Sequence, residues 1–517
     1  MHHEPRPESE NGAPGNRVLW LSAAALVGVS LLTPVQVYST NTSQSPPRAR
    51  ALLAALALVG LGLALAALVA RWAGWERAIQ MGAVTVLVVS QWERPSNLSG
   101  SFPEWVIPVL MWVCLVGVSW RWGLRRELAS VLAVFAWVVV ISSVLPALRG
   151  PSNNTSILAG SGYDLGRPSD EPRDLVIVVL DGYGRSDVLM DTYGYDNSDF
   201  QRLLEAEGYA VPTGSHANYS MTIAALASAL ALEPLVVAGD EPNAVRVSAL
   251  TNMIRGENAL VRGLRELGYR YVHFESGWSS GRCGPAVDTC VGSSTYDEYV
   301  GTVLSVTAFG DIFTDWLGHP FTHNGRSILD QLVDIDEVMT PGADFVLAHV
   351  PLPHPPMHLS ASCEMVNGVD RRGGAVGARD IDPAQLDRRK MYYVEQVQCV
   401  NSLMADVAAA LPPDAVVLIT ADHGPDSRGQ LSEPPGQWSE ADVVERFAIF
   451  SAIRAPACGI EVGESPSMID LFRVSAACAI GGERPEAVSA ALIYPDSVPG
   501  IEPGGAWAAA PVRIPES

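Results

Sequence analysis

Five uncharged apolar runs fill the first 150 residues, at 18–38, 51–70, 78–92, 105–120 and 128–148. None has a polar face, which sets them apart from the amphipathic helices of a soluble core. About 20 apolar residues span a bilayer. The first, second and fifth runs reach that length, and Trp75, Trp92, Trp105, Trp112 and Trp120 suit the interface around the two shorter ones. The first run is too long for a cleaved signal, and four more follow it. The pattern predicts a cytoplasmic tail over 1–16 and a five-span transmembrane domain over 17–149. With the N-terminus inside, the inner segments carry Arg6, Arg17, Arg71, Arg77, Arg121, Arg125 and Arg126, against Arg48, Arg50 and Arg94 outside. This positive-inside bias makes the chain a multi-pass cell-membrane protein with everything after Arg149 extracytoplasmic. No ionisable residue interrupts the spans, which argues against a transporter.

Beyond Arg149 the pattern changes. Gly, Pro, Ser and Asn crowd 150–171, which reads as a linker. Residues 175–180 (LVIVVL), 345–348 (FVLA) and 416–420 (VVLIT) are short, continuous apolar runs, as in strands buried on both faces. Helical stretches lie between them, at 199–207, closed by Gly208, and at 383–411. This alternation predicts an α/β fold over 172–500, a mostly parallel sheet covered by helices on both faces. A flexible Pro-, Gly- and Ala-rich tail is expected at 501–517.

Composition agrees with this division. A chain of 517 residues is long enough for two to four domains. It is 48% hydrophobic and only 17% charged, yet its net charge is −22, because an oily first part precedes an acidic remainder. An acidic balance excludes a nucleic-acid partner. Lys390 is the single lysine, so lysine chemistry is discounted. Of seven cysteines, Cys114 lies in an apolar run, and the even set Cys283, Cys290, Cys363, Cys399, Cys458 and Cys478 follows. No CxxC occurs, so disulfides in an oxidising compartment are expected. Near-neighbour pairing is the expectation, with Cys283–Cys290 closing a tight loop through Gly284 and Pro285.

Open α/β sheets bind ligands outside the carboxyl ends of their strands. The first run is followed by Asp181 and Gly182, the second by His349 and then Pro353-His354-Pro355, the third by Ala421, Asp422, His423 and Gly424. Carboxylate and imidazole groups gathered at one edge suit Zn, Mn or Mg in a hydrolase-type site. Singly, each has a blander reading: Asp181 as a turn or cap, the histidines as packing among prolines. A nucleophile candidate stands in Asn218-Tyr219-Ser220-Met221-Thr222, where Thr222 opens an apolar helix. A hydroxyl in the positive field of a helix N-terminus is favoured as an alkoxide. Thr222 or Ser220 could equally be an N-cap.

These segments, VIVVLDGYGRSD, NYSMTIAALAS, AHVPLPHPP and TADHG, occur in the order found in the alkaline phosphatase superfamily. The likeness is to its membrane-anchored, sulfatase-like branch, which includes lipoteichoic acid synthases and lipid A phosphoethanolamine transferases. It covers roughly 172–480, with Glu445-Arg446-Phe447 and 467–473 (SMIDLFR) resembling the C-terminal part more loosely. The resemblance implies one divalent ion held by Asp181, Thr222, Asp422 and His423. It implies Thr222 as nucleophile and His354 as the group facing the leaving oxygen. Substrate contacts would come from His349, His354 and Asn218, and His349 could instead join a second metal. His216 and His273 are lesser candidates. No C/S-x-P-x-R sulfatase motif is present, and Asp181 stands where the two named subfamilies carry Glu.

The activity so implied is two-step transfer of a phosphoglycerol- or phosphoethanolamine-like group. It would pass from a membrane lipid donor to an envelope glycan or lipid, through a phospho-threonine ester. A phosphodiesterase or sulfatase-type hydrolase of the same fold is the rival within the class. A catalytically inactive membrane-tethered scaffold is the rival outside it.

Overall fold

The computed structural model describes residues 14–40, 48–93, 103, 105–122, 126–148, 165, 172–235, 247–292, 295–340, 343–366, 382–433, 435–456, 458–459, 461–488, 492–493 and 510–511. Most of the expected cytoplasmic tail, linker and C-terminal tail lies outside these residues. The chain forms two compact units, Met1–Ser152 with Tyr299–Trp316, and Asn153–Glu298 with Leu317–Ser517.

In the first unit each apolar run is a helix: α1 (Pro14–Thr40), α2 (Arg48–Ala73), α3 (Trp75–Ser90), α4 (Val106–Trp122) and α5 (Arg126–Leu148). Two helices, over Arg17–Ser39 and Ala49–Ala73, are long and apolar enough to cross a membrane. Side chains such as Leu52, Leu53, Val131, Val134 and Phe135 are exposed, as an apolar surround requires. α1 packs against α2, α3 and α5. Small residues set the helix approaches: a Cβ on Gly28 would meet Ala136 Cβ at 2.8 Å, and one on Gly82 would meet the Gly62 carbonyl oxygen at 2.5 Å.

In the second unit the strands are β1 (Leu175–Asp181), β2 (Arg270–Phe274), β3 (Thr289–Val291), β4 (Asp344–Pro353), β5 (Val416–Ala421) and β6 (Ser451–Arg454). Helices between them are α6 (Ser186–Tyr193), α7 (Ser198–Ala206), α8 (Thr222–Ala231), α9 (Val247–Ile254), α10 (Ala259–Glu266), α13 (Pro320–Val333), α14 (Pro383–Ala410), α15 (Glu440–Phe447) and, after β6, α16 (Met468–Ile480). The intervening α11 (Glu298–Ser305) and α12 (Gly310–Leu317) fall largely in the first unit. A last pair, β7 (Leu492–Ile493) and β8 (Ala510–Pro511), is antiparallel. The main sheet has the order β3-β2-β4-β1-β5-β6, parallel throughout except for β6 at the edge. β1 and β5 are wholly buried apart from a trace of Asp181, which explains their unbroken apolar sequence.

β4 corrects one expectation. The sequence pattern places the strand over FVLA and His349 after it, but β4 runs on to Pro353 and pairs His349 with Val179. The physical reason is that β2 leaves β4 at Ala348. From His349 onward β4 pairs with β1 alone, so Pro351 and Pro353, which lack an N–H, are tolerated.

The six cysteines pair in sequence: Cys283–Cys290, Cys363–Cys399 and Cys458–Cys478, with Cys114 free and exposed on α4. Cys363–Cys399 closes the longest loop, 36 residues, and Cys399 is buried in α14. Chain entropy then assigns it about 3–4 kcal/mol. Denaturant unfolding of Cys363→Ser is expected to show that loss, against no more than about 3 kcal/mol for Cys283→Ser, whose loop is shorter.

Candidate active site

The site forms where β1, β4 and β5 end. Asp181 closes β1, and Gly182 turns the chain with φ 74°, the left-handed region that glycine enters without cost. Two bonds hold this turn: the Tyr393 hydroxyl donates to the Gly182 carbonyl at 2.8 Å, and Gly184 N–H donates to Tyr393 Oη at 3.0 Å. Gly182 N–H also donates to Asp422 Oδ1 at 3.1 Å, linking the β1 and β5 turns.

Asp422 and His423 follow β5 and are buried. The Asp422 carboxylate accepts from His423 N–H at 2.9 Å. His423 Nδ1 lies 3.0 Å from the Gly424 carbonyl oxygen, which assigns the ring proton to Nδ1. Nε2 therefore offers a lone pair to the centre of the site. It stands 2.9 Å from Thr222 Oγ1, 3.2 Å from Asp422 Oδ2 and 3.5 Å from Asp181 Oδ1. Gly424 leaves no room for a side chain, since a Cβ would lie 2.0 Å from the Glu445 carbonyl oxygen.

Thr222 is the first residue of α8, and the cap position belongs to Met221, with no side-chain cap bond. The N-cap reading of Thr222 is thereby removed: its hydroxyl is turned to His423 instead. It stands at the N-terminus of a helix whose other residues are all buried, in a positive local field.

Asp181, Asp422 and His423 offer ligand atoms within 4.8 Å of one another. Asp181 Oδ1 and Asp422 Oδ2 are buried without a hydrogen-bond partner. Two such oxygens are costly unless a cation occupies the space between them, so the residues fit a divalent ion. Burial, and next the charge of Asp181, push the Asp422 carboxyl up to about 6. Burial also acts to raise Asp181, but His354, His349 and His423 overcome it and hold Asp181 below the usual carboxylate range. Burial, helped by Arg446, drives His423 well below the ordinary imidazole value, so it stays neutral and free to ligate.

A cation bound here must displace any proton on Asp422, and that carboxyl is protonated below about pH 6. Calorimetric titration of the full chain with Mn²⁺ is expected to give constant affinity from pH 8 to about 6, falling about tenfold per unit below it. Affinity that stays flat down to pH 4.5 would remove Asp422 from the ligand set.

His349 Nε2 lies 3.5 Å from Asp181 Oδ2, and neither of its ring nitrogens has a hydrogen-bond partner. The Trp278 ring packs against it at 5.6 Å. The His354 ring is 6.4 Å from that of His423, with Nδ1 toward the Pro355 carbonyl at 2.7 Å, so its Nε2 is the available nitrogen. Gln396 of α14 holds this loop by donating to the carbonyls of Pro353 and His354, both at 3.1 Å. Asn218 is turned to α16, its Oδ1 accepting from Ile469 N–H at 3.0 Å. The two lesser candidates, His216 and His273, serve the fold. His273 is engaged at both nitrogens, by the Tyr271 hydroxyl at 2.7 Å and the Gly281 carbonyl at 3.0 Å. His216 ties the Gly214 loop to α16 through its backbone.

Arg446, noticed in the sequence only as part of a segment likeness, is central. It is buried at the end of α15, donating from Nε to the Ser220 carbonyl at 2.7 Å and from Nη1 to the Gly424 carbonyl at 2.8 Å. One side chain thus joins the loop that presents Thr222 to the loop that presents His423. No signal in the sequence distinguishes it from the other arginines.

No family model and no curated protein matches this chain. Among solved structures it is similar to the integral membrane lipooligosaccharide phosphoethanolamine transferase A of Neisseria meningitidis, at 13% identity and TM-score 0.39 over 89% of this chain and 95% of that one. It is also similar to the C-terminal periplasmic domain of EcEptC from Escherichia coli, at 12% identity and TM-score 0.37 over 66% and 93%. A third is the putative sulfatase yidJ of Bacteroides fragilis, at 12% identity and TM-score 0.35 over 60% and 74%. Likenesses this distant carry no residue role across.

Proposed function

We propose that this chain is a membrane-anchored phosphotransferase with a five-span anchor, a cytoplasmic N-terminus and an extracytoplasmic catalytic domain. It moves a phospho-substituent from a membrane lipid to an envelope glycan or lipid. The observation that carries the reading is Thr222 Oγ1, 2.9 Å from His423 Nε2 and at the edge of a buried cluster with unpaired carboxylate oxygens. Asp181, Asp422 and His423, with the Thr222 oxygen, would hold a divalent cation, whose chemistry is a lowered hydroxyl pKa and neutralised phosphoryl charge.

In the first step Thr222 Oγ1, its proton already lost to solvent, attacks phosphorus and the bond from phosphorus to the lipid oxygen breaks. His354 Nε2 gives that oxygen its proton, leaving a phospho-threonine ester. In the second step an acceptor hydroxyl attacks the same phosphorus, His354 Nε2 takes its proton, and the bond from phosphorus to Thr222 Oγ1 breaks, returning Thr222 as the alkoxide. Arg446 keeps the Thr222 and His423 loops in register throughout. The full chain in nanodiscs, given Mn²⁺ and a headgroup-labelled phospholipid, is expected to place label on an added glycan acceptor. Label released only as free headgroup, with or without acceptor, would make the protein a hydrolase. Absence of both, with no bound metal, would leave a tethered scaffold.

A further inference from the structure

The chain leaves the sheet-bearing unit after Glu298 and re-enters it at Leu317, and the residues between, Tyr299–Trp316, group with the apolar helices. The excursion is tied at its base, where the Tyr296 hydroxyl donates to the Gly318 carbonyl at 2.8 Å. It is tied again within the first unit. The Tyr299 hydroxyl donates to the Pro34 carbonyl of α1 at 2.9 Å, and Ala308 N–H donates to the Val89 carbonyl of α3 at 2.9 Å. Tyr299 and Val303 also pack with Val37 of α1 and with Ala51 and Ala54 of α2. These partners share one end of the helix bundle, where α1 and α3 finish and α2 begins.

α12 leaves a face uncovered. Phe309, just before it, is 45% exposed, Ile312 64% and Trp316 79%. Helical spacing puts these three within about 60° of one another, on one stripe. A lone exposed apolar side chain is ordinary, but three on one stripe mark a surface that something covers. The level of the stripe decides what covers it. α12 starts two residues after Ala308 and is about 12 Å long, so it stays near the end of α3. Exposed tryptophans ring the opposite end of the bundle: Trp20 near the start of α1, Trp72 and Trp75 where α2 gives way to α3, and Trp120 and Trp122 at the end of α4. Indole rings collect at both faces of a bilayer. α4 runs opposite to α3, with Trp112 Nε1 donating to Thr85 Oγ1 at 3.0 Å, which puts Trp105 at the end where α3 finishes. Among the described residues, the exposed indoles at that end are Trp105 and Trp316. The apolar helices thus supply one belt themselves, and the returning segment adds to the other. Leu52 and Leu53, beside the Ala51 and Ala54 on which this segment packs, are exposed too, so apolar surface continues from here along α2.

We infer that α12 is an interfacial helix, with Phe309, Ile312 and Trp316 set into the boundary between headgroups and acyl chains of the outer leaflet. It gives the chain a hold on the membrane from beyond residue 298, in addition to the spans. The inference rests on the membrane anchor proposed above, and not on the chemistry at Thr222. Spin labelling of the full chain in nanodiscs tests it, on a Cys114→Ser background that removes the free cysteine. Labels on Ile312→Cys and Trp316→Cys are compared with one on Val134→Cys, at an exposed position of α5, and one on Asp199→Cys, at an exposed position of α7. Each label's collision rate with oxygen is divided by its rate with a water-soluble nickel chelate. That ratio is expected to be at least about fivefold higher at Ile312 and Trp316 than at Asp199, and to approach that at Val134. Water-like ratios at Ile312 and Trp316 beside a lipid-like ratio at Val134 would overturn the inference and leave the anchor standing. A water-like ratio at Val134 as well would remove anchor and inference together. Labels at Ile312 and Trp316 shielded from both reagents would put protein on the stripe, such as a second copy of this chain, and would equally overturn it.

Discussion

Thr222→Ala is expected to abolish transfer, lowering turnover by at least about a thousandfold, as loss of a covalent nucleophile does. Stability should scarcely change. Thr222 contributes no cap bond, and it opens α8 at a position where alanine is well tolerated, so the cost should stay within about 0.5 kcal/mol. Two measurements separate chemistry from folding. Intact mass after exposure to lipid donor should show a phospho-substituent adduct on the wild type and none on Thr222→Ala, with equal thermal midpoints. Thr222→Ser keeps an oxygen at the same place and should restore both adduct and measurable turnover. Turnover by Thr222→Ala near the wild-type rate would remove the phospho-threonine step, whatever becomes of the metal.

Why that much of the site could be read in advance follows from its construction. Asp181 ends β1, and Asp422 and His423 follow β5, strands whose burial on both faces forces unbroken apolar sequence, so strand and candidate ligand are visible together. The apolar helices are equally plain, since a membrane-facing helix cannot hide in an alternating pattern. β2 escaped notice because RYVHF carries two residues that argue against a buried strand. Both are satisfied by partners distant in sequence: Arg270 forms a two-pronged pair with Asp344 at 2.9 and 2.7 Å, and His273 is bonded at both nitrogens. The true end of β4 was hidden for a similar reason, since the prolines after Ala348 are acceptable only because β2 has already departed. The grouping of Tyr299–Trp316 with the apolar helices has no local sign either. It depends on Tyr299 and Val303 finding Val37, some 260 positions away. What a sequence conceals in this protein is tertiary satisfaction, and that holds most of all for its buried charges.

Arg446 is the extreme case, and its removal is expected to have the largest effect on stability. It is a buried guanidinium whose charge is felt by Asp426, Asp422, Asp181 and Glu445. Arg446→Met keeps the bulk of the side chain but leaves buried carboxylates without their counter-charge and removes the bonds that Arg446 gives to the carbonyls of Ser220 and Gly424. Breaking a buried ionic arrangement from one side costs about 3–5 kcal/mol. Denaturant unfolding of the full chain, followed by tryptophan fluorescence, should register that loss in metal-free protein. Mn²⁺ should recover part of it, because a cation beside Asp181 and Asp422 replaces positive charge at two of the four carboxylates, but it cannot re-tie the two loops. Arg446→Lys should fall between, retaining charge while losing the fork that reaches both carbonyls. Catalysis should suffer in all conditions, since the arginine that joins the Thr222 loop directly to the His423 loop is then gone. If metal-free Arg446→Met were as stable as the wild type, the buried carboxylates would have to be neutral, and the cluster around Thr222 would no longer present the charged oxygens that a divalent ion requires.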